Sequence, residues 1–430
     1  MTGVISRNPT VAHLTVVSGA IEARGLLPGR TGMRITFAGD TPPLFMGLRV
    51  DHADGSLPGL PGPVALGSVS EDGKDDLAFW QGHVPGPKGT RMDLRYIYLC
   101  DGPFKGWHIW YKRVEQFAAN SMLWGMVPFF VFYNIPANTG ESYAIDLKHI
   151  NSLRYMTAYY SNLQLFLKRA QEVMQGELYG IVVEPDFLGY MQQSGKQPRE
   201  ITTCEGTLVN TVSNINAVIA QKKASGHNIL FGWQLNVWAD NASNEKDGTI
   251  RRTDDLGWEK GREAIAQAAA KTANYALNAG ALTHGADFLV VDKYGLDGRA
   301  IVWKQNQKGE WYKEIDASKY FWNNDHWMNY LLFVKTISEV SQKKVLLWQL
   351  PVGHINSSTA ISARTQQRFP DLANIHTKWE DSCTSFFFGD AFDVSGNVLD
   401  ERTPSPPRLS YFSQNQAQDH TLSVSGNRIT

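Results

Sequence analysis

A series of short apolar segments, each ending in polar residues and separated by stretches of helical period, constrains this chain most. From Arg91 onward the strand-like runs are Leu94–Cys100, Val127–Ile135, Tyr179–Glu184, Ile229–Val237, Phe288–Asp292, Val345–Leu350 and Ser385–Gly389. Between them, Ile150–Val173 places Ile150, Leu153, Met156, Tyr160, Leu163, Leu167 and Ala170 at steps of three and four, which predicts a helix. Glu263–Ala279 is alanine-rich and stops before Gly280, a C-cap signal. Trp327–Val340 supplies another helix before KVLLWQL. Strand and helix alternating about seven times predicts parallel sheet, as a closed barrel or an open doubly wound sheet. No GxGxxG or GxxxxGK[ST] follows the first strands, so the nucleotide-binding version loses support. The expected fold is α/β: a TIM-like (β/α) barrel of roughly seven or eight parallel strands.

Residues 1–88 have another texture. HLTVV, MRITFAG and FMGLRVDH alternate and are divided by LLPGR, GDTPP and GSLPGLPGP, which is turn chemistry. A small β-rich, sandwich-like N-terminal domain is expected there, followed by the barrel over 89–400. The tail 401–430 is polar and rich in Pro and Ser.

Charge and composition narrow the partners. The chain carries 41 basic and 42 acidic residues, a net charge of −1, with no basic stretch interleaved with aromatics. Neither nucleic acid nor a membrane surface is expected, and a neutral substrate fits better. Cys100, Cys204 and Cys383 form no CxxC pair and no disulfide framework, which mildly favours a reducing compartment. No cofactor and no metal site is expected, there being no HExxH, no clustered histidine and no GxSxG elbow. The start MTGVISRNPTVAHLTVV lacks a signal-peptide pattern, and no segment is apolar enough to span a bilayer. The corresponding expectation is a cytoplasmic location, or export without a cleaved signal. The sequence leaves the oligomeric state open.

In a parallel barrel, chemistry sits at the C-terminal ends of the strands. Those ends read Asp101, Asn134, Glu184 with Asp186, Gln234 with Asn236, Asp292 with Lys293, then Gln349 and His354, and Asp390. Carboxylates with amides and a lysine between them suit general acid/base work on a polar, uncharged substrate. In YGIVVEPDFLGYM, charge appears only as the apolar strand exits, and proline stiffens that exit. Glu184 and Asp186 are the first catalytic candidates, weighed against a plain loop-bonding or helix-capping role. Asp292 and Asp240 are the others. Trp107, Trp238 and Trp348 are candidate stacking platforms for sugar rings, with Gln234, Asn236, Lys293, Gln349 and His354 as further binding candidates.

These motifs resemble the family-6 glycoside hydrolases, inverting cellulases with a distorted barrel. VVEPDFL is similar to that family's IEPDSL strand, and VPFFVFYNIPANTGESYAI to its VxYDLP strand with an NGE turn, which brings in Asn134, Pro136, Gly140 and Glu141. DFLVVDKYGLDG stands where the family has a strand ending in aspartate, here Asp292, and LLWQLPVGH resembles its WVKPGGE segment through Trp348, Pro351 and Gly353. The resemblance implies a glycosidase with Asp186 as general acid. Asn134 replaces the first aspartate of the family's YDLPxRDC pattern, and VGHINSS lacks the acidic residue after PGG. EPDFLGYMQQ and LLWQLPVG are similar more closely to a set of uncharacterised bacterial barrel proteins, which bring no known activity. The expectation is a glycoside hydrolase acting on a neutral poly- or oligosaccharide, with Asp292 or Asp240 as the base. The rival is a carbohydrate-binding barrel that has lost hydrolysis.

Overall fold

The computed structural model describes residues 1–61, 93–137, 142–240, 248–292 and 324–348, short pieces between 65 and 81, residue 140, and the backbone of 301–305 and 311–315. The first fifty residues form five strands: β1 (Gly3–Ser6), β2 (Ala12–Val17), β3 (Ala20–Gly25), β4 (Gly29–Thr36) and β5 (Leu44–Val50). β4 lies between β1 and β5 in an antiparallel sheet, and β2 pairs with β3 as a hairpin. Leu14, Met33 and Ile35 make its small core.

The remaining strands are β6 (Gly67–Val69), β7 (Leu94–Leu99), β8 (Val127–Phe132), β9 (Tyr179–Val183), β10 (Thr202–Thr203), β11 (Gly206–Thr207), β12 (Ile229–Leu235), β13 (Phe288–Asp292), β14 (Ile301–Gln305), β15 (Trp311–Ile315) and β16 (Lys344–Trp348). The main sheet runs β6-β7-β8-β9-β12-β13-β16 with every neighbouring pair parallel. Each strand is added on the same side as the last. That is the winding of a barrel; a doubly wound sheet reverses its order partway.

The sheet is strongly curled. Five strand spacings separate β16 from β7, which in a flat sheet would be about 24 Å. The ring of Trp348 on β16 nonetheless lies 5.5 Å from Tyr96 and 5.6 Å from Tyr98 on β7, centroid to centroid. Among the described residues no hydrogen-bonded pairing closes β16 onto the first strands. The expected barrel is therefore present as a parallel half-barrel of six full strands with the three-residue β6 at its edge. Ser385–Gly389 and the tail 401–430 fall outside the described residues.

Alternation along the strands explains the two cores. Leu94, Tyr96, Val127, Phe129, Val131, Val182, Phe288, Val290 and Trp348 pack inside the curl. The intervening residues, such as Ile97, Phe130, Ile181, Phe231 and Leu289, face helices outside. Those helices are α1 (Gly106–Leu123), α2 (Tyr143–Ile150), α3 (Leu153–Met174), α4 (Phe187–Gln193), α5 (Leu208–Ala224), α6 (Arg252–Leu256), α7 (Trp258–Ala279) and α8 (Asn324–Ser341). The single helix expected over Ile150–Val173 is two. Ile150 ends α2, and the Ser152 hydroxyl then accepts the Tyr155 N–H at 3.3 Å as the N-cap that starts α3.

The N-terminal sheet docks at the end of the half-barrel where strands begin. Gly32 and Gly125 allow the backbones of β4 and the α1–β8 turn to touch, since a Cβ on Gly125 would meet the carbonyl carbon of Thr31 at 2.2 Å. Arg30 pairs with Glu177, just before β9, at 3.2 Å, and Arg49 shares the same carboxylate.

Candidate active site

Register decides what meets at the C-terminal ends. Trp233 lies opposite Val183, Leu235 opposite Val291, and Asp292 opposite Trp348. Carried forward past β9 and β12, the same register puts Asp186, Asn236, Asp292 and Trp348 in one row across four strands. Side chains two apart share a face, so Asn236 inherits the inward direction of Leu230 and Gln234.

The row is joined by hydrogen bonds. The Asn236 amide nitrogen donates to Asp186 Oδ1 at 2.6 Å and to Asp292 Oδ1 at 3.3 Å. Gln234 Nε2 donates to the same Asp186 oxygen at 3.2 Å. One NH2 group thus spans two carboxylates, and a nitrogen facing both is the only orientation that avoids setting the amide oxygen against negative charge. With its two hydrogens about 120° apart, the near carboxylate oxygens sit on the order of 5 Å from each other. Asn236 and Gln234 are fully buried, Asp292 is 3% exposed, and Asp186 is partly exposed. The Gln234 amide oxygen is buried without a partner among the described residues.

Local backbone delivers Asp186 to this position. Glu184 and Asp186 flank Pro185 with φ of 41° and 64°, a region that non-glycine residues enter at a cost of about 1–3 kcal/mol each. Asp186 occupies the N-cap of α4, yet its side chain makes no capping bond. The carboxylate is turned to Gln234 and Asn236 instead. Gly189, one turn into α4, makes room: a Cβ there would lie 2.6 Å from Asn236 Oδ1 and 2.8 Å from the Trp238 ring.

Glu184 has a different task. Its carboxyl is completely buried and accepts the backbone N–H of Asn134 at 3.0 and 3.1 Å and that of Ile135 at 2.9 Å. Burial pushes it up to about 8, opposed by those N–H groups and the Tyr159 hydroxyl. Asn134 Nδ2 donates to Leu99 O at 2.8 Å, and Tyr155 donates to the carbonyls of Asn134 and Ile135 at 3.0 and 2.9 Å. The exits of β7, β8 and β9 are thereby tied into one rigid rim.

The other candidates fall elsewhere. The Asp240 carboxylate accepts from Thr249 at 3.0 Å. Trp238 is buried against Gly189 and Tyr190, whose ring is 5.1 Å away, so it does not present an open stacking face. Trp348 is 1% exposed and belongs to the inner core, stacked on Tyr98. Trp107 lies in the first turn of α1. Glu141, Lys293, Gln349 and His354 lie outside the described residues. Sequence reasoning missed Gly189 and Tyr330. Tyr330 is fully buried, donates to Val291 O at 2.8 Å, and has its hydroxyl raised by burial and then by Asp292. The glycine in EPDFLGYM was the one available signal, a helix-weakening residue beside the acidic exit. Among the described residues no three His, Cys, Asp or Glu side chains converge as metal ligands would.

No protein-family model and no curated protein matches the sequence. Among solved structures, the chain is similar to Endoglucanase CEL6B from Humicola insolens, at 15% identity and a TM-score of 0.31. The similarity covers 60% of this chain and 64% of that enzyme, so the chain spans less than two thirds of its length. A likeness at that score carries no functional argument.

Proposed function

We propose that the protein is a glycoside hydrolase acting on a neutral polysaccharide or oligosaccharide, with Asp186 and Asp292 as its acid/base pair. The observation that carries the proposal is the single Asn236 amide bonded to both carboxylates at the C-terminal mouth of the half-barrel. Two carboxyl groups held at fixed spacing are what cleavage of an acetal needs. One gives a proton to the glycosidic oxygen as the C1–O bond breaks. The other supplies the electron pair that replaces it, directly or through water. The surroundings fit a hydroxyl-rich substrate: the amides of Gln234 and Asn236 line the pair, and Asp186 is partly exposed beside them.

Glu184 is assigned to the scaffold in this reading, because its oxygens are occupied by backbone N–H groups. The test is reducing-end release from a panel of neutral polysaccharides by the wild-type chain and by Asp186→Asn. New ends with the wild type and none with the variant support hydrolysis. Binding of a glycan by both without product favours the carbohydrate-binding alternative. No binding and no product across the panel removes carbohydrate from consideration.

A further inference from the structure

We infer that Trp258 and Arg262, in the first two turns of α7, form a subsite that holds one ring of a neutral glycan at the rim of the half-barrel mouth. The inference rests on the reading of the substrate as a glycan, and adds where that glycan is gripped away from the reacting bond.

The tryptophans divide sharply by exposure. Trp80, Trp110, Trp124, Trp233, Trp238 and Trp348 are each at most 4% exposed, whereas Trp258 is 44% exposed. Trp258 nonetheless stands on the face of α7 that elsewhere packs inward. Gly261, Ile265, Ala268 and Thr272 follow it at steps of three and four, and all are buried. The stripe runs on past the end of the core, and its last member leaves an indole in water.

That indole is held in place. The Arg262 guanidinium lies over one face of the ring, 4.7 Å from its centroid. Arg262 Nη1 donates to Asn329 Oδ1 at 3.2 Å. Asn329 is fully buried, and its Nδ2 donates in turn to Ile250 O at 2.9 Å and to the Thr253 hydroxyl at 2.8 Å. The next residue, Tyr330, reaches Val291 O at 2.8 Å, one residue before Asp292. Trp258 is thus tied through α8 to the exit of β13, at the end of the half-barrel that carries Asp186 and Asp292.

The chemistry of this surface fits a sugar ring. An indole face packs against the apolar face of a pyranose. Among the described residues Arg262 makes no hydrogen bond besides the one to Asn329, so further N–H donors of the guanidinium remain for hydroxyl groups. A platform fixed in advance also loses little freedom on binding. Charge selects against an acidic sugar: within 254–263, Asp254, Asp255, Glu259 and Glu263 outnumber Lys260 and Arg262. Leu256, two residues before the tryptophan, and Met328, next to Asn329, are exposed as well. A second copy of the chain seated on this surface is therefore the outcome that opposes a glycan.

The test is calorimetric binding of cellohexaose, xylohexaose, mannohexaose and maltohexaose to the wild-type chain, Trp258→Ala and Arg262→Met, each with and without Asp186→Asn to stop cleavage. The expected result is that Trp258→Ala weakens binding of the hexaose that the wild type takes by about tenfold or more, and that Arg262→Met weakens it too. Because the ring is exposed, Trp258→Ala should melt within a few degrees of the wild type. If it does not fold, Arg262→Met carries the test. Unchanged affinity in either variant removes that residue from the subsite while leaving the glycan reading intact. A wild type that binds none of the hexaoses defeats the glycan reading and the subsite with it. Sedimentation of the same proteins gives the remaining outcome: a wild type that dimerises and a Trp258→Ala that does not, with hexaose affinity unchanged, would assign the surface to a second copy.

Discussion

The backbone nitrogen of Asn134 lies 3.0 and 3.1 Å from the two carboxyl oxygens of Glu184, so the exit of β9 grips the exit of β8 through a group that sees no solvent. A buried carboxyl in that position couples the working rim to pH.

Burial raises Glu184 to about 8 from an ordinary 4.5. A group whose folded value is raised gives stability that is complete below its unfolded value and is lost as pH climbs through the folded value. The wild type should therefore lose on the order of a few kcal/mol between about pH 4.5 and 8 relative to Glu184→Gln, which cannot ionise. Urea midpoints of the two proteins across that range check it, and parallel curves would contradict it. Glu184→Ala leaves the Asn134 and Ile135 N–H groups buried and unpaired, and should cost about 2–4 kcal/mol below about pH 4.5, a difference that shrinks as pH rises toward 8.

Gly189→Ala is expected to act on the site more than on the fold. The added Cβ would meet Asn236 Oδ1 and the Trp238 ring inside van der Waals contact, pushing the amide that joins Asp186 to Asp292. Overpacking of this kind costs about 1–3 kcal/mol. The expected outcome is a loss of kcat with a Tm change of only a few degrees, measured on one preparation. Unaltered kcat would show that the bridge tolerates displacement.

Trp348 separates core from platform. Its ring is wedged between Tyr96 and Tyr98 across the curl, so Trp348→Ala should cost about 3–5 kcal/mol, and Trp348→Phe less. Denaturation midpoints report this. A variant with native stability and lost glycan affinity would instead make Trp348 a binding surface.

The parallel sheet was legible because each strand is apolar through its length: Phe288–Asp292 was read to the residue, and Leu94–Leu99 and Tyr179–Val183 to within one. Helix α1 was not, since GWHIWYKRVEQF opens with aromatic residues that serve strands equally well. The break at Ser152 was hidden because apolar steps of three and four run on through it, while a cap is a single hydroxyl. At the site, EPD marked the right strand exit, but which of its carboxylates faces inward depends on positive φ at Glu184 and Asp186, which no pattern of residue types announces. The Asp186–Asn236 bond is a matter of register between β9 and β12, invisible until the strands are paired.

Asn236→Ala removes the shared donor and should lower kcat/KM by about 10–100-fold while moving upward the limb of the pH–rate profile that Asp186 sets, because Asp186 then loses a hydrogen bond of 2.6 Å. A drop in rate with both limbs unmoved would assign Asn236 to substrate binding instead.

The most direct measurement is kcat/KM for the wild type, Asp186→Asn, Asp292→Asn and the double variant on whichever polysaccharide the panel identifies. If the two carboxylates act as one unit, each single change should lower the rate by about 1,000-fold or more and the double change should add little. Cleavage that persists near the wild-type rate in either single variant would contradict the account.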